Sequence, residues 1–476
     1  MSSRLPKLFS FEQHTETRVE TRERIIEYAA LPQYRSAVVD ELVLKGDFYR
    51  RPLRPEDLEF LPFGKPVRRN TYRRLPFFAA QRILFCINDT RTAVFPIPAT
   101  AEKFAAFDAF YSEKVQILGT SIQGFLEDFS FDFTSVDEPT ADKAEIIAQL
   151  DGLLRDEGAL WGKLARMIRS RNYLIDGMRC SLIQMWSLLD TKRVALARAA
   201  ASGYFSWLPE ELRPELSSEF PGDALLGDIA RQCGVDGAAH SYWQFYLSTS
   251  LGSCNFLNAL ARRPDRALDL CGAAFAASAQ WIAFGCLIGQ VAGDFGYDDP
   301  KALSDLSDVT TVEIVSRFEK MLTQVEEKFG TEGLLRVSRG LSAAVRLAEC
   351  ARDNLHDQLA WLSSAEEHLR LAHVITERIN AECPDIDRET FVEPREMCST
   401  THVHSDHRLV TVESGNMVFW GNPFMEVRLA PGDMILIPEG RLHGSSIESD
   451  ECVYHQPIIP DEWITSLSNW ARGANI

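Results

Sequence analysis

Histidine is scarce through most of this 476-residue chain. His14 is the sole histidine before His240, and none lies between His240 and His356. A scarcity of that kind argues against histidine-rich metal chemistry in the first two thirds of the chain. Cysteine is present but unpaired in pattern: the ten cysteines include no Cys-x-x-Cys pair, which argues against a zinc knuckle or disulfide frame and predicts reduced core thiols. Positive charge is in deficit, with 50 Lys and Arg against 68 Asp and Glu and a formal net charge of -18. Broad contact with phosphate backbones needs the opposite balance, so no nucleic-acid partner is expected. The opening residues, MSSRLPKLFSFEQHTETR, hold no apolar run long enough for a signal-peptide core, and a cytoplasmic protein is expected. Charge is absent altogether from Leu270 to Gly293, LCGAAFAASAQWIAFGCLIGQVAG, a stretch long enough to cross a bilayer. Its Ala, Gly, Ser and Gln content, and the lack of flanking basic clusters, predict a helix buried inside a helical domain and no membrane partner.

What is present divides into two idioms. Length alone implies more than one hydrophobic core. Up to about residue 385 the apolar spacing is helical, as in TRERIIEYAALPQYRSAVVDELV and LLRDEGALWGKLARMIRSRNYLIDGMRCSLIQMWSLL. Proline and glycine clusters such as RRPLRPEDLEFLPFGKPVRR punctuate these helices. The basic part of that stretch, with Arg50, Arg51, Arg54, Lys65, Arg68, Arg69, Arg73 and Arg74, reads as a solvated or subunit-facing surface, with an anion site as the alternative. After AECPDIDRETFVEP, short alternating runs (HRLVTVESG, NMVFW, MEVRLAPGD, MILIPEG) predict a small antiparallel β-barrel or sandwich.

Five of the ten histidines fall in this last part: His402, His404, His407, His443 and His455. In THVHSDHR, His402 and His404 are two apart, and on a strand they would present two imidazoles to one point. Further on, PGDMILIPEGRLHG supplies Gly432, Pro438, Gly440 and His443. These match the second motif of the cupin family, G-x5-P-x-G-x2-H, at every defined position, and the pair of motifs reads as a metal site built from His402, His404 and His443. The first cupin motif often carries a glutamate ligand where this chain has Arg408. Arginine cannot ligate. Three neutral imidazoles leave a divalent ion its full charge and open positions, which suits Fe(II), one per chain, with O2 as cosubstrate beside a chelating substrate. On a regular strand Arg408 points inward, either to a substrate carboxylate or to a neighbouring side chain. Tyr454 is a candidate hydroxyl for the reaction or a core residue. His407 falls on the opposite strand face and reads as a surface histidine.

Four stretches, YRRPLRP (49–55), HSYWQFYLSTSL (240–251), DQLAWL (357–362) and RLHGSSIESDECVY (441–454), together resemble the N-nitrosourea synthase family of streptozotocin biosynthesis. The resemblance implies three parts: an N-terminal helical dimerisation region over 1–140, a heme-oxygenase-like diiron domain over 141–385 and a mononuclear iron cupin over 386–476. It implies a homodimer, and cupin ligands at His402, His404 and His443. In that family the diiron domain N-hydroxylates an arginine derivative, and the cupin rearranges the product oxidatively with formation of an N–N bond.

The central part departs from the family. Of its carboxylates, Asp176 alone falls near a family ligand position, and the uncharged 270–293 helix appears in place of a ligand-bearing one. Asp353 and His356 form a DxxH pair that reads as helix surface. A degenerate diiron fold is therefore expected, with the chain performing the cupin half alone. Its substrate would be an N-hydroxylated arginine or guanidine supplied by a separate N-hydroxylating enzyme, and its product an N-nitroso or diazeniumdiolate group. The alternatives are a two-site enzyme whose central domain also hydroxylates arginine, a non-redox metal-binding cupin, and a plain cupin dioxygenase.

Overall fold

The computed structural model describes the chain apart from residues 1–4, 33, 35–51, 54–57, 62, 91–94, 96–99, 136–137, 214–215, 217–222, 236–239, 241, 296–310, 396–397, 423–424 and 465–476. Helices come first: α1 (Arg18–Ala29), α2 (Leu75–Asp89), α3 (Ala101–Phe110), α4 (Glu113–Phe131), α5 (Lys143–Ser170), α6 (Leu174–Ala201), α7 (Asp223–Gln232), α8 (Ser248–Ala261), α9 (Ala267–Val291), α10 (Thr311–Leu362) and α11 (Ala365–Glu382). Strands then run from β1 (Thr390–Pro394) through β2 (Cys398–His402), β3 (His407–Ser414), β4 (Met417–Asn422), β5 (Met425–Leu429), β6 (Met434–Ile437), β7 (His443–Ile447) and β8 (Glu451–His455) to β9 (Ile458–Ile459). The architecture is a helical domain followed by a small antiparallel β domain, and β3 to β6 arise where the alternating runs placed them.

α5 shows how the helices are specified. Asp142 caps its start, accepting the Ala144 N–H at 2.8 Å. Ile146, Leu150, Leu153, Leu154, Trp161, Leu164 and Ile168 then recur at helical spacing and are buried.

The uncharged stretch becomes α9. It is the one helix among the described residues long and apolar enough to cross a membrane, and it lies buried in the helical core. Its small residues let α10 approach closely. A Cβ added to Gly272 would come 2.2 Å from the Val337 carbonyl oxygen, and one on Gly340 would come 2.0 Å from that of Asp269. Both glycines are therefore obligatory at this crossing. Beside it, Asp269 and Arg339 form a buried bidentate pair, with Nε–Oδ1 2.7 Å and Nη2–Oδ2 2.8 Å. α10 itself is two helices joined at Gly330, where φ is +61°.

The β domain has two antiparallel sheets, β1-β8-β3-β6 with β9 on β3, and β2-β7-β4-β5. Along β3 the side chains alternate. Leu409 joins Leu436, Met434 and Ile459 in packing on Leu371, Ala372, Ile375 and Ile379 of α11. Val410 and Val412 face the other way, into a core with Phe419, Ile435, Ile437, Leu442 and Tyr454 that is continuous with the helical core.

Candidate metal centre

β2 and β7 are neighbours in the second sheet, and their register sets His402 directly opposite His443. β2 ends at His402, after an irregularity between Ser399 and His402. His404 thus lies in the connection to β3 and not on the strand, which corrects the expectation that simple alternation brings the two imidazoles together. The connection is held instead by the turn before β7, where the Gly440 N–H donates to the His404 carbonyl at 3.0 Å. Gly440 is required there twice over. Its φ is +72°, and a Cβ would meet the Arg73 side chain at 2.7 Å.

The three rings converge. Centroid separations are 4.9 Å for His402–His404, 4.4 Å for His402–His443 and 4.9 Å for His404–His443. One nitrogen from each lies within 4.8 Å of the others. His443 Nδ1–H donates to the Arg441 carbonyl at 2.8 Å, which fixes the tautomer and leaves Nε2 as its donor lone pair. That Nε2 and the Nε2 of His404 are both buried without a hydrogen-bond partner. Burial first, then the charges of His402, His443 and Arg408, push the His404 imidazole well below its ordinary value. Burial and His402 do the same to His443. The His404 and His443 rings are therefore neutral, as ligation requires. Two orphaned buried nitrogens cost free energy that a cation would recover, so the donor set fits a divalent metal held by three imidazoles. Among the described residues this is the one cluster of such geometry.

Helical residues hold the site from behind. Gln358 of α10 brackets Leu442, accepting its N–H at 3.0 Å and donating to its carbonyl at 2.9 Å, one residue before His443. Trp361 packs edge-on to Phe419, which stacks on the His443 ring at 5.3 Å. On the far face of β2, the buried Arg82 of α2 donates to the Thr401 hydroxyl and to the Gln244 carbonyl. Neither Gln358 nor Phe419 stood out in the sequence. The signal that could have found Gln358 is its place in DQLAWL, a stretch otherwise noted for resemblance.

The other sequence candidates are placed as follows. Arg408 shares the inner face of β3 with Val410 and Val412, and its guanidinium meets the Glu389 carboxylate and, at 2.9 Å, the Gln456 carbonyl. Tyr454 is buried opposite Val412 in the register and stacks on Phe391 at 5.3 Å. His407 is tied down, with Nδ1 accepting the Glu439 N–H at 3.0 Å. Asp176 pairs with Arg179 at 3.0 Å. Asp353 is exposed and His356 half-buried on α10, where the His356 ring bonds Asp357 at 3.1 Å. At its described end the basic stretch is exposed at Lys65, Arg68, Arg69 and Arg74, as a solvated surface is, and three of its arginines are held in ion pairs. Arg73 pairs with Asp357 at 2.7 Å, Arg74 with Glu439 at 2.9 Å and Arg69 with Glu349 at 2.8 Å, clamping α10 and the Gly440 turn. Arg50, Arg51 and Arg54 lie outside the described residues.

No family model matches the chain. It is similar to the nitrosourea synthase of Streptomyces achromogenes subsp. streptozoticus, with 26% identity over 457 residues, 93% of this chain and 96% of that protein. Over almost its whole length the chain resembles nitrosourea synthase.

Proposed function

We propose that the β domain is a cupin-type mononuclear iron centre, with His402, His404 and His443 as ligands, that forms an N–N bond on an N-hydroxylated arginine or guanidine in the biosynthesis of an N-nitroso or diazeniumdiolate product. The observation that carries this is the pair of buried, partnerless Nε2 atoms facing a third imidazole. The likeness to nitrosourea synthase supports the reaction class. A ferrous ion bound by three neutral imidazoles supplies activation of O2, the oxidant, and open positions for a chelating substrate. The chain's own part is positional. The Arg441 carbonyl and Gln358 fix His443, Phe419 shields its ring from water, and burial keeps the His404 and His443 imidazoles unprotonated.

Three buried carboxylates of the helical domain, though not Asp89 and Asp190, whose Oδ2 atoms are buried without a hydrogen-bond partner, are taken up by arginines. Asp269 is engaged by Arg339, Glu157 by Arg352 at 3.1 Å and Glu127 by Arg262 at 2.6 Å. Guanidinium groups already neutralise these acids, which favours a separate enzyme as the N-hydroxylating step.

The test is a mass-spectrometric screen of N-hydroxyarginine isomers with the iron-loaded protein and O2. The expected result is a product with a new N–N bond, absent with unhydroxylated arginine and absent from His443→Ala. Conversion of arginine itself to hydroxyarginine would overturn the single-centre reading.

A further inference from the structure

The helical domain holds a hollow that shares no residue with the metal centre. Its volume is about 450 Å³, within the range of small-molecule sites, and it lies where α6 and α8 finish and α9 begins. Arg198 and Ser202 line it from the end of α6, Tyr204 from the turn that follows, Arg262 from the end of α8, and Pro264 and Ala267 from the start of α9. Gly203 makes the turn. Its φ is +79°, its N–H donates to the Ala200 carbonyl at 2.9 Å, and the Tyr204 N–H donates to that of Ala199 at 3.0 Å, a closure that ends the helix. A Cβ on Gly203 would meet nothing within 4 Å, so the hollow is open on this side.

Arginines at helix C-termini are common, because they complement the dipole and can bond the last carbonyls. Arg198 does not do the second. It is half-buried, yet it makes no hydrogen bond and no ion pair among the described residues. Burial lowers its guanidinium from the ordinary value, and no carboxylate opposes that shift. The acids nearby are already taken: Glu127 accepts from Arg262 Nη2 at 2.6 Å, and Asp265 accepts from Arg263 Nη2 at 2.9 Å and Nε at 3.2 Å. Arg262 also keeps an unused donor, since its Nε is buried without a partner. The Ser202 and Tyr204 hydroxyls make no hydrogen bond among the described residues. A half-buried cation without a counter-charge is costly, and a bound anion would recover that cost.

We propose that this hollow binds a phosphate group, free or as a monoester, with Arg198 and Arg262 as its cationic donors, Ser202 as a hydroxyl donor and Tyr204 as the wall for an organic part. Two guanidinium groups and two hydroxyls reaching in from different elements suit a tetrahedral group with three acceptor oxygens better than a flat carboxylate with two. The Tyr204 ring, Pro264 and Ala267 give the rest of the hollow an apolar side. The site does not depend on the iron-centre reading, and either can fail without the other.

The experiment is isothermal calorimetry on the full-length protein near neutral pH and at fixed ionic strength, with inorganic phosphate and phenyl phosphate as probes and chloride as the balancing salt. Binding is expected at one site per chain with a Kd of about 1 mM or tighter, the size of two charge-assisted contacts. Tighter binding of phenyl phosphate would identify a monoester as the occupant, and equal or weaker binding the free ion. Arg198→Gln should weaken both probes by about 10-fold or more and remove the rise in melting temperature that phosphate gives the unaltered protein. Ser202→Asp, at an exposed position on the rim, sets a like charge in the site and should abolish binding of both. Binding of neither probe would overturn the proposal. So would either variant, folded by its melting curve, that binds both probes as the unaltered protein does.

Discussion

Three buried acids of the helical domain and two buried imidazoles of the β domain are treated differently. In the helical domain the acids Asp269, Glu157 and Glu127 are each answered by an arginine from another element. In the β domain two ring nitrogens, on His404 and His443, are buried and answered by nothing in the chain. Burial of either kind is costly; the arginines offset part of it, since burial still raises all three acids, and no hydrogen bond offsets it at the two ring nitrogens. The contrast holds for these clusters and not for every buried group, since Asp89 and Asp190 in the helices each bury an oxygen without a hydrogen-bond partner.

The largest expected effect breaks the comparison on the helical side. Asp269→Ala leaves Arg339 buried and unpaired at the α9–α10 crossing, and urea denaturation should show a loss of about 3–5 kcal/mol. At temperatures where this variant is still folded, its metal content should match that of the unaltered protein. A smaller effect is expected where the domains meet. Gln358→Ala should weaken metal binding by about 10-fold in a chelator competition, because Leu442 loses both of its backbone clamps next to His443. Gln358→Glu, which keeps the acceptor for the Leu442 N–H, should fall between the two.

The smallest effect is a difference in sign. Burial lowers the His404 and His443 imidazoles, so unfolded chain binds more protons than folded chain below the ordinary histidine value of 6.5. Their contribution to metal-free stability is present above that pH and lost as pH falls. Burial raises Glu157 from 4.5 to about 7 in spite of Arg352. Its contribution is present below 4.5 and lost as pH rises toward 7. Unfolding free energies of His443→Ala and Glu157→Gln across pH 4.5 to 7.5 should therefore diverge from the unaltered protein with opposite slopes. Parallel slopes would show that the two domains do not differ in this way.

Much of this was legible in the residues. The switch from helical spacing to alternation after about 385 foresaw the strands, the first of which starts at Thr390. The histidine pair and the Gly432, Pro438, Gly440, His443 spacing marked the cluster, because that chemistry is local in sequence. What stayed hidden depends on distant partners. Gln358 lies 84 residues from the backbone it holds, and Arg82 lies 319 from Thr401. The bulged end of β2 moved His404 off the strand, a departure that period-two reasoning does not register.

The most direct test of the account is an anaerobic Fe(II) titration of the metal-free full-length protein. One equivalent should bind per chain, vanish in His443→Ala and persist in Glu157→Gln. Two or more equivalents, or full iron binding by His443→Ala, would contradict it.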